Sequence, residues 1–197
     1  ICQSQTYQLS SYPNSHNARD SQNFSRYYAK RLNAEVLLDA IDQVTGVQTV
    51  FPGQPEGTRA VQLPDNSFNT SSYFLALFGR PNNSSASESE RTDDANLAQS
   101  LHLLNSQKIQ EKLDSQNGRA VLLAKDASRT DEDKVRELYC WAYSREPDST
   151  ELKTALSYLQ SKSQVSEREG TRHNRRLEAY QDTLWALINT KEFLFNH

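Results

Sequence analysis

The sequence lacks methionine, has only two cysteines, and contains no long run of apolar residues. Its longest apolar stretches span a few residues, such as YFLALF at 73–78. A helix that crosses a membrane needs about 20 consecutive, mostly apolar residues. We therefore predict that the chain has no membrane span.

The two cysteines, Cys2 and Cys140, are far apart in the sequence. Neither has a second cysteine or a histidine at the spacing of a zinc site or a haem-attachment motif, so we predict no cofactor in this segment. Two interpretations of the cysteines stay open. Each can be a buried thiol, or the two can form a disulfide with each other if the protein is exported.

The chain also lacks an excess of positive charge, because 22 Lys and Arg residues face 25 Asp and Glu residues and the net charge is −3. A nucleic-acid-binding domain normally carries a basic surface, so we expect no nucleic-acid partner. A hydrophobic content of 36% and a charged content of 24% are typical of a folded globular domain. The length of 197 residues fits one domain with one core.

Apolar residues recur with the helical period of three and four residues wherever the sequence is regular. NAEVLLDAIDQVTG is the clearest helix, with Asn33 as its N-cap and Gly46 just past its end. A separate short helix is expected from Ser21 to Arg31. Thr130, three residues before Asp133, predicts the start of another helix.

Further helices are predicted around 97–113, from 149 to about 160, and from Arg175 to Ile188, with a last turn capped by Asn189 or Thr190. Residues 161–174 have almost no apolar content, which predicts a solvated loop. The chain begins at Ile1, and its first residues are typical of the end of a helix. We expect one helical domain over residues 1–197, which is the C-terminal fragment of a longer protein.

Residues 47–71 are the exception, since proline and glycine interrupt this segment repeatedly. We predict a long irregular insertion there. TRAVQL is its one strand-like hexamer, so a short strand pair within the insertion is an open alternative. The predicted fold is thus mainly α, a single compact domain of about 8–10 helices with this insertion.

Seven segments occur together in one order: TYQLSSYPN, FSRYYAKRLNAEVLLDAIDQVTG, GTRAVQLPD, YFLALFGRP, SESERTDDANLAQSLHLLNS, LYCWAYSREPDSTEL and DTLWALINTKEFLFNH. With this set the chain resembles a planctomycete-specific C-terminal domain of unknown function over essentially its whole length. At 87–91, SESER stands where many relatives resemble Cys-Glu-Cys-Glu-Arg. A redox or metal role based on that cysteine pair is therefore not expected here.

The resemblance implies a setting more than a reaction. Such domains look like the C-terminal part of large exported proteins that often carry a cytochrome c-like module and a second helical domain upstream. It implies localisation at the periplasm or cell surface, and the upstream domains of the same protein as partners. A protein or glycan ligand is a further expectation.

The segment that precedes the clearest helix is rich in basic side chains, at Arg26, Lys30 and Arg31. Acidic residues follow at 35, 39 and 42, a spacing that places them on one helix face. We predict that this face is exposed and that opposite charges meet across the joint, which would make the segment a hinge stabilised by ion pairs.

Charged residues inside the irregular segments form the candidate site. They are Arg59, Asp65, Arg80, Glu88, Glu90 and Arg91. Because arginine can bind several carbonyl or carboxylate oxygens at once, a structural ion-pair cluster is one interpretation. A ligand or partner pocket is the second, and a catalytic carboxylate pair, Glu88 and Glu90, is the third.

We predict no metal site. The acidic group at 88–94 lacks the glycine and the ligand spacing of a calcium loop. The four histidines are scattered and have no nucleophile at a recognisable spacing. The sequence therefore favours a non-catalytic scaffold or interaction domain. The alternative is a hydrolase that acts on cell-envelope polysaccharide with Glu88 and Glu90.

Overall fold

The computed structural model of the chain describes residues 3–20, 22–64, 72–80, 97–164 and 169–196. The α-helices of this part are α1 (Ala34–Thr45), α2 (Tyr73–Leu77), α3 (Leu97–Asn105), α4 (Gln107–Asp114), α5 (Arg119–Lys125), α6 (Asp131–Tyr143), α7 (Ser149–Gln164), α8 (Glu169–Ile188) and α9 (Lys191–Leu194). Strands β1 (Lys30–Arg31) and β2 (Phe195–Asn196) form the one sheet of the described residues. The predicted mainly α-helical fold is confirmed. No described helix has the length and hydrophobicity needed to cross a bilayer.

Helix α1 forms where the sequence predicts it. Leu37, Ile41 and Val44 lie on one stripe of the helix, and all three are buried in the core. The helix ends at Gly46, which has a φ of 73° and donates its N–H to the Asp42 carbonyl at 2.9 Å. Glycine adopts this left-handed conformation without steric cost, which explains the sharp end.

Side-chain caps fix the starts of two other helices. The Thr130 hydroxyl accepts the Asp133 N–H at 3.1 Å, so the predicted cap of α6 is confirmed. The Thr190 hydroxyl accepts the Phe193 N–H at 3.2 Å and begins α9 in the same way. Each cap satisfies an N–H group that has no partner within its own helix.

Helices α7 and α8 are longer than the sequence predicts. Helix α7 continues to Gln164 and α8 begins at Glu169, so the predicted loop at 161–174 was wrong at both ends. Lys162 contacts both Glu178 and Asp182 of α8. Polar side chains thus join the two helices where an apolar stripe is missing. Because Tyr158 also contacts Asp182, the two helices run antiparallel.

The core lies around α8, which packs against α5 and α7. Tyr180, Leu184 and Ile188 of α8 are completely buried. Helix α5 was not predicted, although Val121 and Leu123 are buried within it. Its seven residues are too few to show a helical period in the sequence.

The segment before α1 is not the short helix that the sequence indicates. Among its described residues, Lys30 and Arg31 pair with Asn196 and Phe195 in the antiparallel sheet, and the rest form bends and coil. Asp20 accepts N–H bonds from Gln22, Asn23 and Ser25 just before it. These local bonds replace those of a helix, and the pairing with the C-terminal end fixes an extended backbone.

The insertion is irregular from 47 to 59, as predicted. The strand-like hexamer forms a 3₁₀-helix at Ala60–Gln62 instead of a strand. The strand pair of the described chain therefore lies outside the insertion, between the two distant segments β1 and β2. Residues 65–71 lie outside the described residues.

Candidate functional site

The acidic face of α1 is the centre of the ionic contacts in this half of the chain. Glu35, Asp39 and Asp42 share that face because four and three residues separate them. Glu35 and Asp39 are 8% and 7% exposed, so the prediction of an exposed face was wrong. The insertion and its neighbours cover it.

Asp42 holds the beginning of the insertion. Its carboxylate accepts the Thr49 N–H at 2.6 Å and the Thr49 hydroxyl at 3.0 Å. Lys112 of α4 lies 2.8 Å from the same carboxylate and also donates to the Val47 carbonyl at 2.8 Å. Two chain segments are thereby tied to the end of α1.

Asp39 holds the 3₁₀-helix one turn earlier along α1. Its carboxylate accepts the Ala60 N–H at 2.6 Å and the Val61 N–H at 3.3 Å. These are the free N–H groups at the start of that helix, where a negative charge is favourable. Arg59 lies 3.3 Å from Asp39, but its side chain is 61% exposed, so this ion pair adds little to stability.

Glu35 binds Arg80 at 3.2 Å, in a pair whose side chains are 10% and 5% exposed. Arg80 also donates to the Leu63 carbonyl at 3.4 Å. Asp42 and Asp39 therefore fix the beginning of the insertion and its 3₁₀-helix, and Glu35 binds Arg80, which in turn holds the Leu63 carbonyl. This contact pattern is structural, because each carboxylate satisfies backbone groups or a buried cation.

Of the six predicted site residues, the structure describes two, and both contact this face. Arg59 and Arg80 lie on neighbouring turns of it, beside Asp39 and Glu35 respectively. The other four lie outside the described residues: Asp65, Glu88, Glu90 and Arg91. The complete cluster, and the catalytic use of Glu88 and Glu90, stay predictions.

The predicted partners across the joint were wrong for Asp39 and Asp42, whose ion-pair partners are Arg59 and Lys112. The basic side chains before α1 have other contacts. Arg31 donates to the Phe78 carbonyl at 3.0 Å, and Arg26 lies 5.0 Å from the centre of the Tyr28 ring.

Cys140 is exposed and its thiol is free, so the interpretation as a buried thiol was wrong for this residue. Cys2 lies outside the described residues. No group of three or more histidine, cysteine, aspartate or glutamate side chains in the described part is arranged to hold a metal ion.

A fully buried lysine, Lys134, is a structural feature of the core. Its ammonium donates to the Asp126 carbonyl, at the end of α5, and lies 5.9 Å from the centre of the Tyr180 ring. Burial lowers the pKa of Lys134 below its ordinary value. The Tyr180 hydroxyl in turn donates to Asp131 at 2.8 Å.

An open groove of about 720 Å³ lies where α6, α7 and α8 meet. We call it the α7–α8 groove. Apolar and aromatic side chains form most of its wall: Tyr139, Ala155, Tyr158, Trp185, Ala186 and Leu187. Ala155 and Ala186 each contribute only a methyl group to this wall, which leaves the space open. The sequence signal for this groove is weak, because two alanines in separate helices form no motif.

The carboxylates of the α7–α8 groove are already engaged. Arg145 donates two hydrogen bonds of 2.8 Å to Glu151, and these hold the pKa of Glu151 below its usual range. Asp182 accepts the Tyr158 hydroxyl at 2.5 Å and contacts the Lys162 ammonium. Both carboxylates therefore have a cation or a hydroxyl donor in place.

A model of the family described as protein of unknown function (DUF1553) matches residues 1–159, which is most of the chain. The chain belongs to the DUF1553 family. No curated protein and no solved structure matches it. The resemblance to a domain of unknown function is confirmed to this extent.

The family match covers the acidic face of α1 and the α7–α8 groove to different extents in this DUF1553 chain. The matched residues include all of α1, the insertion and the residues that form their ionic contacts. The match ends at residue 159, inside α7, so the α8 wall of the groove lies beyond the matched residues.

Proposed function

We propose that this DUF1553 chain is a non-catalytic interaction domain, and that its α7–α8 groove binds a basic amphipathic helix of a partner. The single observation that carries the proposal is the groove itself, an open apolar channel between two antiparallel helices. Two helices that leave such a channel present the surface on which a third helix packs.

The state of the groove carboxylates supports a binding role over a catalytic one. A general acid must hold its proton near neutral pH, which requires a raised carboxyl pKa. Arg145 shifts the pKa of Glu151 in the opposite direction. The hydrolase alternative depends on Glu88 and Glu90 and has no support from the described residues.

The charges around the groove favour a basic partner. Arg145 is shared by Glu151 and Glu192, at 2.8 and 2.6 Å, and Lys162 is shared by Asp182 and Glu178. Each cation thus faces two carboxylates, so both ionic groups have an excess of negative charge. Lysine or arginine side chains that flank an apolar helix face would complement it.

The family resemblance supplies the setting of the proposal. The partner helix belongs to an upstream domain of the same exported protein, at the periplasm or cell surface of a planctomycete. This domain needs no cofactor for that role, since a cytochrome c-like module would lie elsewhere in the parent protein.

The test uses two synthetic 18-residue peptides of about five turns. Both carry leucine on one helix face, with lysine on the other face of the first peptide and glutamate on that of the second. Calorimetric titration should show binding of the lysine peptide, with the glutamate peptide weaker by about tenfold or more.

Ala186→Arg fills the groove with a bulky cation and should weaken binding of the lysine peptide by about tenfold. Ala98→Arg, on the exposed surface of α3, is the matched control and should bind like the unmodified chain. Equal binding of both peptides, or no effect of Ala186→Arg, would overturn the groove assignment. Release of reducing ends from envelope polysaccharide that depends on Glu88 would overturn the non-catalytic part.

A further inference from the structure

A second cavity, of about 400 Å³, lies between the C-terminal half of α1, the insertion and α6. We infer that this cavity binds one sugar ring of a neutral glycan, with Trp141 as its stacking surface. The volume falls within the roughly 300–1,000 Å³ of small-molecule sites. The inference is independent of the α7–α8 groove, with which this cavity shares no lining residue.

Trp141 supplies an aromatic surface that is rigid and open. Trp141 is 41% exposed, and the Arg119 guanidinium lies 4.0 Å from the ring centre. Arg119 itself is held by the Val44 and Gln43 carbonyls, at 2.9 and 3.1 Å, and by Glu137. The indole therefore rests on a fixed cation.

Arg119 does not line the cavity, whereas Trp141 does. We therefore place the sugar ring against the part of the indole that Arg119 leaves uncovered. The face of an aromatic ring carries partial negative charge, and it attracts the C–H groups on the apolar face of a pyranose.

The two carboxylates that line the cavity, Asp39 and Asp42, have acceptor capacity left. An ionised carboxylate offers about four lone-pair positions. Asp39 uses three of them, for the Ala60 and Val61 N–H groups and the Arg59 guanidinium. One acceptor position remains.

Asp42 likewise uses three positions, for the Thr49 N–H, the Thr49 hydroxyl and the Lys112 ammonium. Each of these two carboxylates can therefore accept one more hydrogen bond. Since they are fixed by backbone groups, they need no rearrangement to do so.

Hydrogen-bond donors also line the cavity. Gln43 and Gln48 are exposed, and neither side-chain amide has a hydrogen-bond partner among the described residues. Arg59 contacts Asp39 through Nε. Its two terminal nitrogens have no partner in the described part of the chain, so they can donate to a ligand.

A hydroxyl group matches this lining because it donates to a carboxylate and accepts from an amide or guanidinium with the same oxygen. A ligand with several hydroxyls around an apolar face is a sugar ring. The two lining carboxylates are matched by two cations, since Arg59 pairs with Asp39 and Lys112 pairs with Asp42. The cavity therefore has no excess of positive charge that would attract an acidic ligand. This balance favours a neutral glycan over an acidic one.

The test titrates the full chain with cellohexaose, mannohexaose and chitohexaose, and with a hexamer of galacturonate as the acidic comparison. Saturation-transfer NMR and calorimetry report the binding. We expect at least one neutral hexasaccharide to bind with a Kd below about 1 mM, and the galacturonate hexamer to bind at least about tenfold more weakly.

Trp141→Ala should weaken binding by about tenfold or more, because the stacking surface is lost. Gln48→Ala removes an exposed amide without touching the core and should weaken binding by about threefold to tenfold. Tyr12→Ala, which removes an aromatic ring with 84% exposure elsewhere on the surface, is the matched control and should leave the Kd unchanged. Circular dichroism checks that each variant is folded.

Absence of binding by all three neutral hexasaccharides at about 10 mM would overturn the inference. Binding that survives both Trp141→Ala and Gln48→Ala would also overturn it, since the sugar would then lie elsewhere. Binding of calcium chloride alone that is lost in Asp42→Asn would assign a cation to the cavity instead.

Discussion

Two regions of this molecule use the same residue types in opposite ways. On the acidic face of α1, the Glu35–Arg80 pair is buried, and the neighbouring carboxylates hold backbone N–H groups. Around the α7–α8 groove, the pairs of Arg145 and Lys162 are partly exposed and surround an apolar channel. The first arrangement fastens an irregular segment to the core, and the second leaves a surface open.

Burial explains the difference in what these contacts contribute. A buried charge that loses its partner is left in a medium of low polarity, whereas an exposed one is solvated by water. Ionic contacts on α1 should therefore govern stability, while those at the groove should mainly govern which partner binds.

The largest effect is expected for Arg80→Ala. It leaves Glu35 buried without this partner and should cost about 3–5 kcal/mol, which corresponds to a fall in Tm on the order of 10 °C for a domain of this size. Differential scanning calorimetry measures the fall, and Arg80→Lys, which keeps the charge, should give an intermediate value.

Arg136→Ala is the matched control for that variant. Arg136 pairs with Glu132 and Glu146 at the surface, so its removal should leave Tm unchanged within error. Equal Tm values for the two alanine variants would show that burial does not separate the two kinds of ion pair.

A smaller loss of stability is expected for Asp39→Ala. The change leaves the Ala60 and Val61 N–H groups without their acceptor and should cost about 2–4 kcal/mol. Urea denaturation gives the free energy of unfolding, and hydrogen exchange at these two amides should accelerate. Asp39→Asn keeps one acceptor oxygen, so a loss as large as that of alanine would contradict the role of Asp39 as a cap.

Thr130→Ala tests a contact that lies within a single helix, for comparison with the long-range contacts of α1. Losing the cap of α6 should cost about 1 kcal/mol, because only one N–H group loses its partner. Thr130→Ser keeps the hydroxyl and should keep most of the stability in urea denaturation. A cost as large as that of Asp39→Ala would show that local and long-range caps contribute alike.

The smallest effect is a dependence of stability on pH that arises from His102, where α2 and α3 meet. His102 packs against the rings of Tyr73 and Phe74, and burial lowers its pKa from the ordinary 6.5. Its neutral form is thus favoured in the folded chain. The contribution of His102 to stability is present above pH 6.5 and is lost as the pH falls from 6.5 through the lower folded-state pKa.

Urea midpoints between about pH 7.5 and pH 5 measure this loss, with His102→Leu as the comparison. The leucine variant should depend less on pH over this range, since it has no group to protonate at that position. Identical pH dependence of both chains would show that His102 does not contribute.

Local sequence predicts the parts of this fold that depend on neighbouring residues. The apolar stripe of α1, its end at Gly46, and the cap of α6 at Thr130 all form as expected. Each involves residues within one or two helical turns, so spacing and side-chain chemistry are sufficient.

The candidate sites were less predictable. Arg59 and Arg80 stand out as charged residues in irregular segments, but the partners shown for them, Asp39 and Glu35, lie on α1. The α7–α8 groove and the cavity beside Trp141 each combine side chains from three parts of the chain. No motif marks either one, because their members meet only after the helices pack.

The sequence by itself determined the helical class, the core stripes and the caps at Gly46, Thr130 and Thr190, since these follow from interactions between neighbours along the chain. Asn33 precedes α1 as predicted, but its side chain makes no cap hydrogen bond. Only the tertiary structure decided that Lys30 and Arg31 pair with the C-terminal strand, and that Lys112 and Arg80 bind the acidic face of α1. Such contacts depend on the path that the chain takes between the two residues. The spacing of residues within one helix or strand does not reveal that path.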